Sequence, residues 1–148
     1  MTYKINRSYA AKGEDMKICV IGLGSMGKRR IRLLKQLLCD PTIIGIDNNE
    51  ERVKSVSNKY GIKCYLHLSD ACERFDCAFV CASPQFHATI IKQCLDSDMH
   101  VFSEINLIDA MYEENIQLAK RKGKVLFLSS TPLYKEELRI IESRIRRN

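Results

Sequence analysis

Short runs that are apolar at nearly every position alternate along this chain with longer segments whose apolar residues recur at helical spacing. Met16 to Ile21 is the first such run, and it ends at glycines. Ser25 to Leu38 follows, with Met26, Ile31, Leu34, Leu37 and Leu38 on one helical stripe. Thr42 to Ile46 predicts a second strand, and Glu50 to Tyr60 a polar helix closed by Gly61 in the usual position past a helix end. Ile62 to Leu66 and Asp76 to Cys81 predict the third and fourth strands. Pro84 to Leu95 predicts a helix, His100 to Ser103 a strand, Ile108 to Lys122 a helix stopped by Gly123, and Val125 to Leu128 the sixth strand.

Strands apolar on both faces belong between two helical layers, which is the environment of a parallel sheet. Repeated β-α units joined by right-handed crossovers then leave few topologies. The pattern predicts a single α/β domain over residues 16–131, a doubly wound parallel (Rossmann) sheet of strand order 3-2-1-4-5-6. Residues 1–15 read as a flexible leader and residues 132–148 as a terminal amphipathic helix.

Composition narrows this picture. A chain of 148 residues, 45% hydrophobic and 28% charged, suits one globular domain rather than a disordered one. No apolar run approaches the roughly 18–20 residues that span a bilayer, and residues 1–15 lack a signal peptide's apolar stretch. A soluble cytoplasmic protein is the expectation. The net charge of +6 is confined to one end: residues 1–119 carry 15 basic and 15 acidic groups, residues 120–148 nine and three. The core is neutral, so neither nucleic acid nor membrane is expected as a partner. Seven cysteines without a secretion signal are expected to stay reduced, and their spacing includes no Cys-x-x-Cys pair, so no metal site is expected.

The chemistry lies in the turn after the first strand. Gly22-Leu23-Gly24-Ser25-Met26-Gly27 is a G-x-G-x-x-G segment, and its place between a strand and a helix gives it meaning. Gly22 permits the tight turn, Gly24 leaves room for a pyrophosphate, and Gly27 lets the helix pack closely. The free N–H groups at the helix start favour an anion. Asp47 ends the second strand, 20 residues after Gly27, where a carboxylate accepts from ribose hydroxyls and repels a 2′-phosphate. No arginine adjoins it, Arg52 being a turn further on. The expected ligand is a dinucleotide, NAD before NADP. The alternatives are a turn kept for packing with Asp47 as helix cap, or S-adenosylmethionine, whose folds usually space their glycines more tightly. Most of the cluster Lys28-Arg29-Arg30-Arg32 reads as a solvated helix face.

Three segments in order resemble the N-terminal half of the Gfo/Idh/MocA (glucose–fructose oxidoreductase / inositol dehydrogenase) oxidoreductases. They are Met16 to Gly27, Asp76 to His87 with its Ser-Pro loop, and His100-Val101-Phe102-Ser103-Glu104. The resemblance implies that Ala82, Ser83 and Pro84 line the cofactor near its pyrophosphate and nicotinamide ribose, and that Glu104 shapes the nicotinamide side. It also brings His87 into the candidate set, one residue closer to the proline than the family spacing, against a solvent-facing or helix-capping role. Ser83 and Pro84 equally suit N-cap and N1 of a helix.

Two departures stand out. Glu104-Ile105-Asn106 replaces the family's Glu-Lys-Pro, whose lysine assists proton transfer as hydride moves. Isoleucine neither donates nor accepts a proton, and losing an acid–base group removes a factor of roughly 10²–10⁴ in rate. The resemblance also implies a second, substrate-binding domain beyond residue 131. Here Tyr134, Leu138, Ile141 and Ile145 form an apolar stripe that suits its own sheet, a second copy in a homodimer, or that second domain. The expected function is an NAD(P)-binding domain of a sugar or cyclitol-type dehydrogenase, the alternative a non-catalytic module that binds or senses a dinucleotide.

Overall fold

The computed structural model describes residues 16–105 and 108–129. The leader expected at 1–15 and the amphipathic stripe at 132–148 lie outside the described residues. Six strands form one sheet: β1 (Lys17–Ile21), β2 (Thr42–Ile46), β3 (Lys63–Tyr65), β4 (Cys77–Val80), β5 (His100–Glu104) and β6 (Leu126–Ser129). Every adjacent pair is parallel and the order is β3-β2-β1-β4-β5-β6, as expected from the alternating pattern. The helices are α1 (Ser25–Leu37), α2 (Glu50–Tyr60), α3 (Pro84–Asp96) and α4 (Tyr112–Lys122).

The pleat of β1 shows why its sequence is apolar from Ile18 to Ile21. Ile18 and Val20 face one way, into a cluster with Ile31 and Leu34 of α1 and Val56 of α2. Cys19 and Ile21 face the other, into a cluster with Ile91, Cys94 and Leu95 of α3 and Ala119 of α4. Successive residues of a strand serve opposite faces, so a strand covered on both sides has no polar position to spare.

Local chemistry sets the helix ends. Gly61 takes the left-handed conformation past α2 (φ 62°, ψ 38°), where a side chain costs strain. At the other end of α2, Asn49 Oδ1 accepts from Arg52 N at 3.0 Å, so Asn49 and not Asp47 caps this helix. Helix α4 starts at Tyr112, four residues later than the apolar spacing from Ile108 predicts. Tyr112 N bonds to Asp109 O in a turn, and Met111 is left-handed (φ 58°), which breaks the helical run. A 3-10 turn at Leu68–Ala71 after β3 has no counterpart in the sequence reading. Leu37 and Leu38, placed on the α1 stripe by spacing, are 47% and 36% exposed because the helix ends beyond the edge of its cluster.

Candidate cofactor-binding cleft

The C-terminal ends of β1, β2 and β4 converge on a cleft of about 1600 Å³. Backbone bonds tie these ends together: Gly22 N donates to Ile46 O at 2.8 Å and Cys81 N to Ile21 O at 2.7 Å. The switch point of a doubly wound sheet lies there, between β1 and β4, where the crossovers leave in opposite directions.

The glycine turn is built by contact. Gly22 has φ 95°, and a β-carbon there would stand 2.6 Å from the peptide joining Cys81 to Ala82. A β-carbon on Gly27 would lie 2.0 Å from Gly22 O, so the first turn of α1 rests directly on the turn's backbone. Gly24 is different: a β-carbon there meets nothing within 4 Å, and its φ of −70° is open to any residue. Folding requires glycine at 22 and 27. At 24 the empty space faces the cleft and the uncapped start of α1, whose Gly24 N-cap supplies no side-chain acceptor.

Asp47 stands at the end of β2, only 6% exposed. Its Oδ2 accepts from Leu23 N at 2.7 Å and its Oδ1 from Asn49 N at 2.9 Å. The carboxylate thus locks the glycine turn to the start of α2. A carboxylate offers about four acceptor positions, so two protein bonds leave room for hydroxyl donors. Arg52 Nη1 lies 3.5 Å from Oδ2, with its side chain 55% exposed at the cleft mouth.

Gly22, Gly24, Ser25, Met26, Asp47, Ala82 and Ser83 all line the cleft. Leu23 is fully buried beneath the turn, and Gly27 is buried where α1 meets it. Pro84 occupies the first turn of α3; Ser83 takes the N-cap position, yet its hydroxyl makes no cap bond. His87 neither faces solvent nor caps the helix. Its ring is 2% exposed, with Nε2 2.7 Å from Ala82 O and Nδ1 3.3 Å from Ser103 Oγ.

Glu104 is not a free carboxylate. Its Oε1 accepts from Nε of Arg30 at 2.7 Å and also from Nη2 of the same guanidinium, both side chains being 15% exposed. The guanidinium lies 4.7 Å from the centroid of Phe102, which stacks between Phe79 and Phe127. Arg30 is therefore not part of the solvated face assigned to its cluster; it joins α1 to the end of β5. Spacing offered no hint of this, because the partners are 74 residues apart in the chain. Burial, and then Glu104, push the neighbouring Cys81 thiol up to about 12, with Arg30 opposing. The far wall of the cleft also lay outside the sequence reading: His67 and Ser69 follow β3, and Phe86 and Thr89 belong to α3.

A glycine turn with an open position, an uncapped helix start and an acid at the end of β2 define a dinucleotide-binding domain of the Rossmann class. The family model described as an oxidoreductase family with an NAD-binding Rossmann fold matches residues 16–130, and the chain belongs to this Gfo/Idh/MocA family. It is 31% identical over 120 residues to a myo-inositol 2-dehydrogenase from Thermotoga maritima, covering 76% of this chain and 35% of that one. The crystal structure of myo-inositol 2-dehydrogenase from Lactobacillus plantarum superposes with a TM-score of 0.75 at 18% identity, over 90% of this chain and 42% of that one. A biliverdin reductase from Synechocystis, solved with biliverdin and NADP+, gives 0.75 at 21% identity, over 90% and 42%. The chain spans well under half the length of these proteins.

Proposed function

We propose that this chain holds NAD for a dehydrogenase acting on a sugar or cyclitol-type alcohol. The observation that carries the reading is the open space at Gly24, set between the start of α1 and the Asp47 carboxylate. The residues fit the cofactor: the turn admits a pyrophosphate, and Asp47 keeps lone pairs for ribose hydroxyls. A 2′-phosphate would meet that carboxylate, and Arg52, the cation nearest to it among the described residues, is already turned onto Asp47. NAD is favoured over NADP on this ground.

When bound, the nicotinamide supplies hydride chemistry. The chain's own residues bind and orient it: Ala82 and Ser83 wall the cleft, and Arg30 fixes Glu104. Ile105 follows Glu104, 48% exposed and unable to move a proton. We assign no catalytic residue within this chain and place turnover in groups beyond it. A non-catalytic dinucleotide-binding module is the second reading, favoured by the same isoleucine. Cytoplasmic location and a homodimer through residues 132–148 complete the proposal.

Calorimetric titration with NAD, NADP and S-adenosylmethionine tests it, on the parent and on Asp47→Ala. The parent is expected to prefer NAD. Charge-assisted hydrogen bonds of about 1.5–3 kcal/mol predict a loss of NAD affinity on the order of 10- to 100-fold in the variant. The ratio of NAD to NADP affinity falls with it, and general loosening of the turn does not change that ratio. Absence of NAD binding at millimolar concentration sinks the reading. Undiminished binding by Asp47→Ala removes the ribose assignment.

A further inference from the structure

His87 sits in the first turns of α3, yet both of its ring nitrogens point to elements outside that helix. Nε2 lies 2.7 Å from Ala82 O, which can only accept, so this nitrogen carries the hydrogen. Nδ1, left as an acceptor, lies 3.3 Å from Ser103 Oγ; that hydroxyl, fully buried on β5, also lies 3.0 Å from Glu104 O, and its single hydrogen is shared between the two acceptors. One buried ring thus joins the loop after β4 to the end of β5. The loop it holds is the one against which Gly22 packs, within 2.6 Å of a β-carbon added there. No peptide bond among the described residues is cis. In a trans peptide the C=O and the following N–H point in opposite directions. With Ala82 C=O drawn inward to His87, the N–H of Ser83 is turned away from that ring, and both Ala82 and Ser83 line the cleft. That N–H has no acceptor among the described residues.

We propose that His87 is a positioning residue: through the Ala82 carbonyl it aims the Ser83 N–H into the cleft as a donor to an acceptor oxygen of the bound dinucleotide. The ligand's identity rests on the function proposed above; the aiming of the peptide does not. The bond to Ser103 fixes the ring plane and ties the aim to β5, whose next residues are Glu104 and Ile105.

The two carboxamide substitutions separate the ring's two roles. In His87→Gln, Nε2 reaches the place of the imidazole Nε2 and retains the bond to Ala82 O. In His87→Asn, the amide ends where Nδ1 stands and leaves that carbonyl without a donor. Fluorescence titration with NADH should give dissociation constants within threefold for parent and His87→Gln, and at least about tenfold weaker binding for His87→Asn. Without cofactor, the Ser83 amide signal in a ¹H–¹⁵N spectrum should move in His87→Asn and stay in place in His87→Gln. Parent-like binding by His87→Asn overturns the proposal, as does loss of binding by a folded His87→Gln. If the parent binds no NADH, the dinucleotide reading fails and the Ser83 signal alone decides: displaced in Asn but not in Gln supports the positioning role, and unmoved in both rejects it. If His87→Asn does not fold, the comparison of parent with His87→Gln still decides.

Discussion

Alanine at Gly24 and at Gly27, three residues apart, should have opposite consequences, because one β-carbon meets backbone and the other meets nothing. At Gly27 the added carbon would lie 2.0 Å from Gly22 O and 3.0 Å from Gly22 C. A normal contact needs more than 1 Å of separation beyond that. The atoms in the way are backbone already held by the bond from Gly22 N to Ile46 O, so no side chain can rotate aside. Overpacking typically costs 1–3 kcal/mol, and a backbone clash falls at the upper end, so about 3 kcal/mol is expected. For a domain near this size that lowers Tm by roughly 6–12 °C. At Gly24 nothing lies within 4 Å and φ is −70°, so alanine should leave stability unchanged or raise it by up to about 1 kcal/mol. The same methyl fills the space proposed for the pyrophosphate, and NADH affinity should fall by at least about tenfold. Thermal melts by circular dichroism and fluorescence titration with NADH read the two effects separately. A Gly27→Ala protein that melts with the parent refutes the packing argument. A Gly24→Ala protein that binds NADH as the parent does refutes the cradle.

Other substitutions test other contacts. Arg30→Met strands the Glu104 carboxylate at 15% exposure and should cost about 2–3 kcal/mol in urea unfolding, below the 3–5 of a fully buried pair; the double variant with Glu104→Leu should regain most of it, and simple addition of the two losses would show that the pair is not coupled. Ellman's reagent at pH 8 should modify Cys39 and Cys72, which are exposed, far faster than Cys19 and Cys94, which are buried; all seven should react in denaturant. Rapid reaction at either buried thiol contradicts the packing. Burial pushes Cys77 up to about 11 and Cys94 up to about 12, while the unfolded thiols titrate near the ordinary value of 9. Above pH 9 the unfolded chain therefore holds fewer of these protons than the folded one, and stability should fall as pH rises from 9 towards 11. A flat urea midpoint across that window contradicts the shift.

The alternation of strand and helix, the sheet order and the glycine turn could be read without coordinates, because each rests on local spacing. A strand buried on both faces must be apolar throughout, and a turn that packs against a helix must carry glycine, whatever the rest of the chain does. Asp47 was found the same way, by its distance from Gly27 and its place at a strand end. Tertiary structure decided what each candidate touches. His87 carried no periodic signal to show that its ring joins Ala82 to Ser103, and Arg30 looked like its exposed neighbours until Glu104 was brought across from β5. The late start of α4 and the far wall formed by His67, Ser69 and Phe86 likewise followed from contacts across the fold. Sequence alone pointed to the class of ligand, since a glycine turn after a strand and an acid at the end of the next follow from local geometry. Only the assembled sheet determined which side chains line the cleft and which are consumed in holding it, because partners such as Arg30 and Glu104, 74 residues apart, meet only through the parallel crossovers.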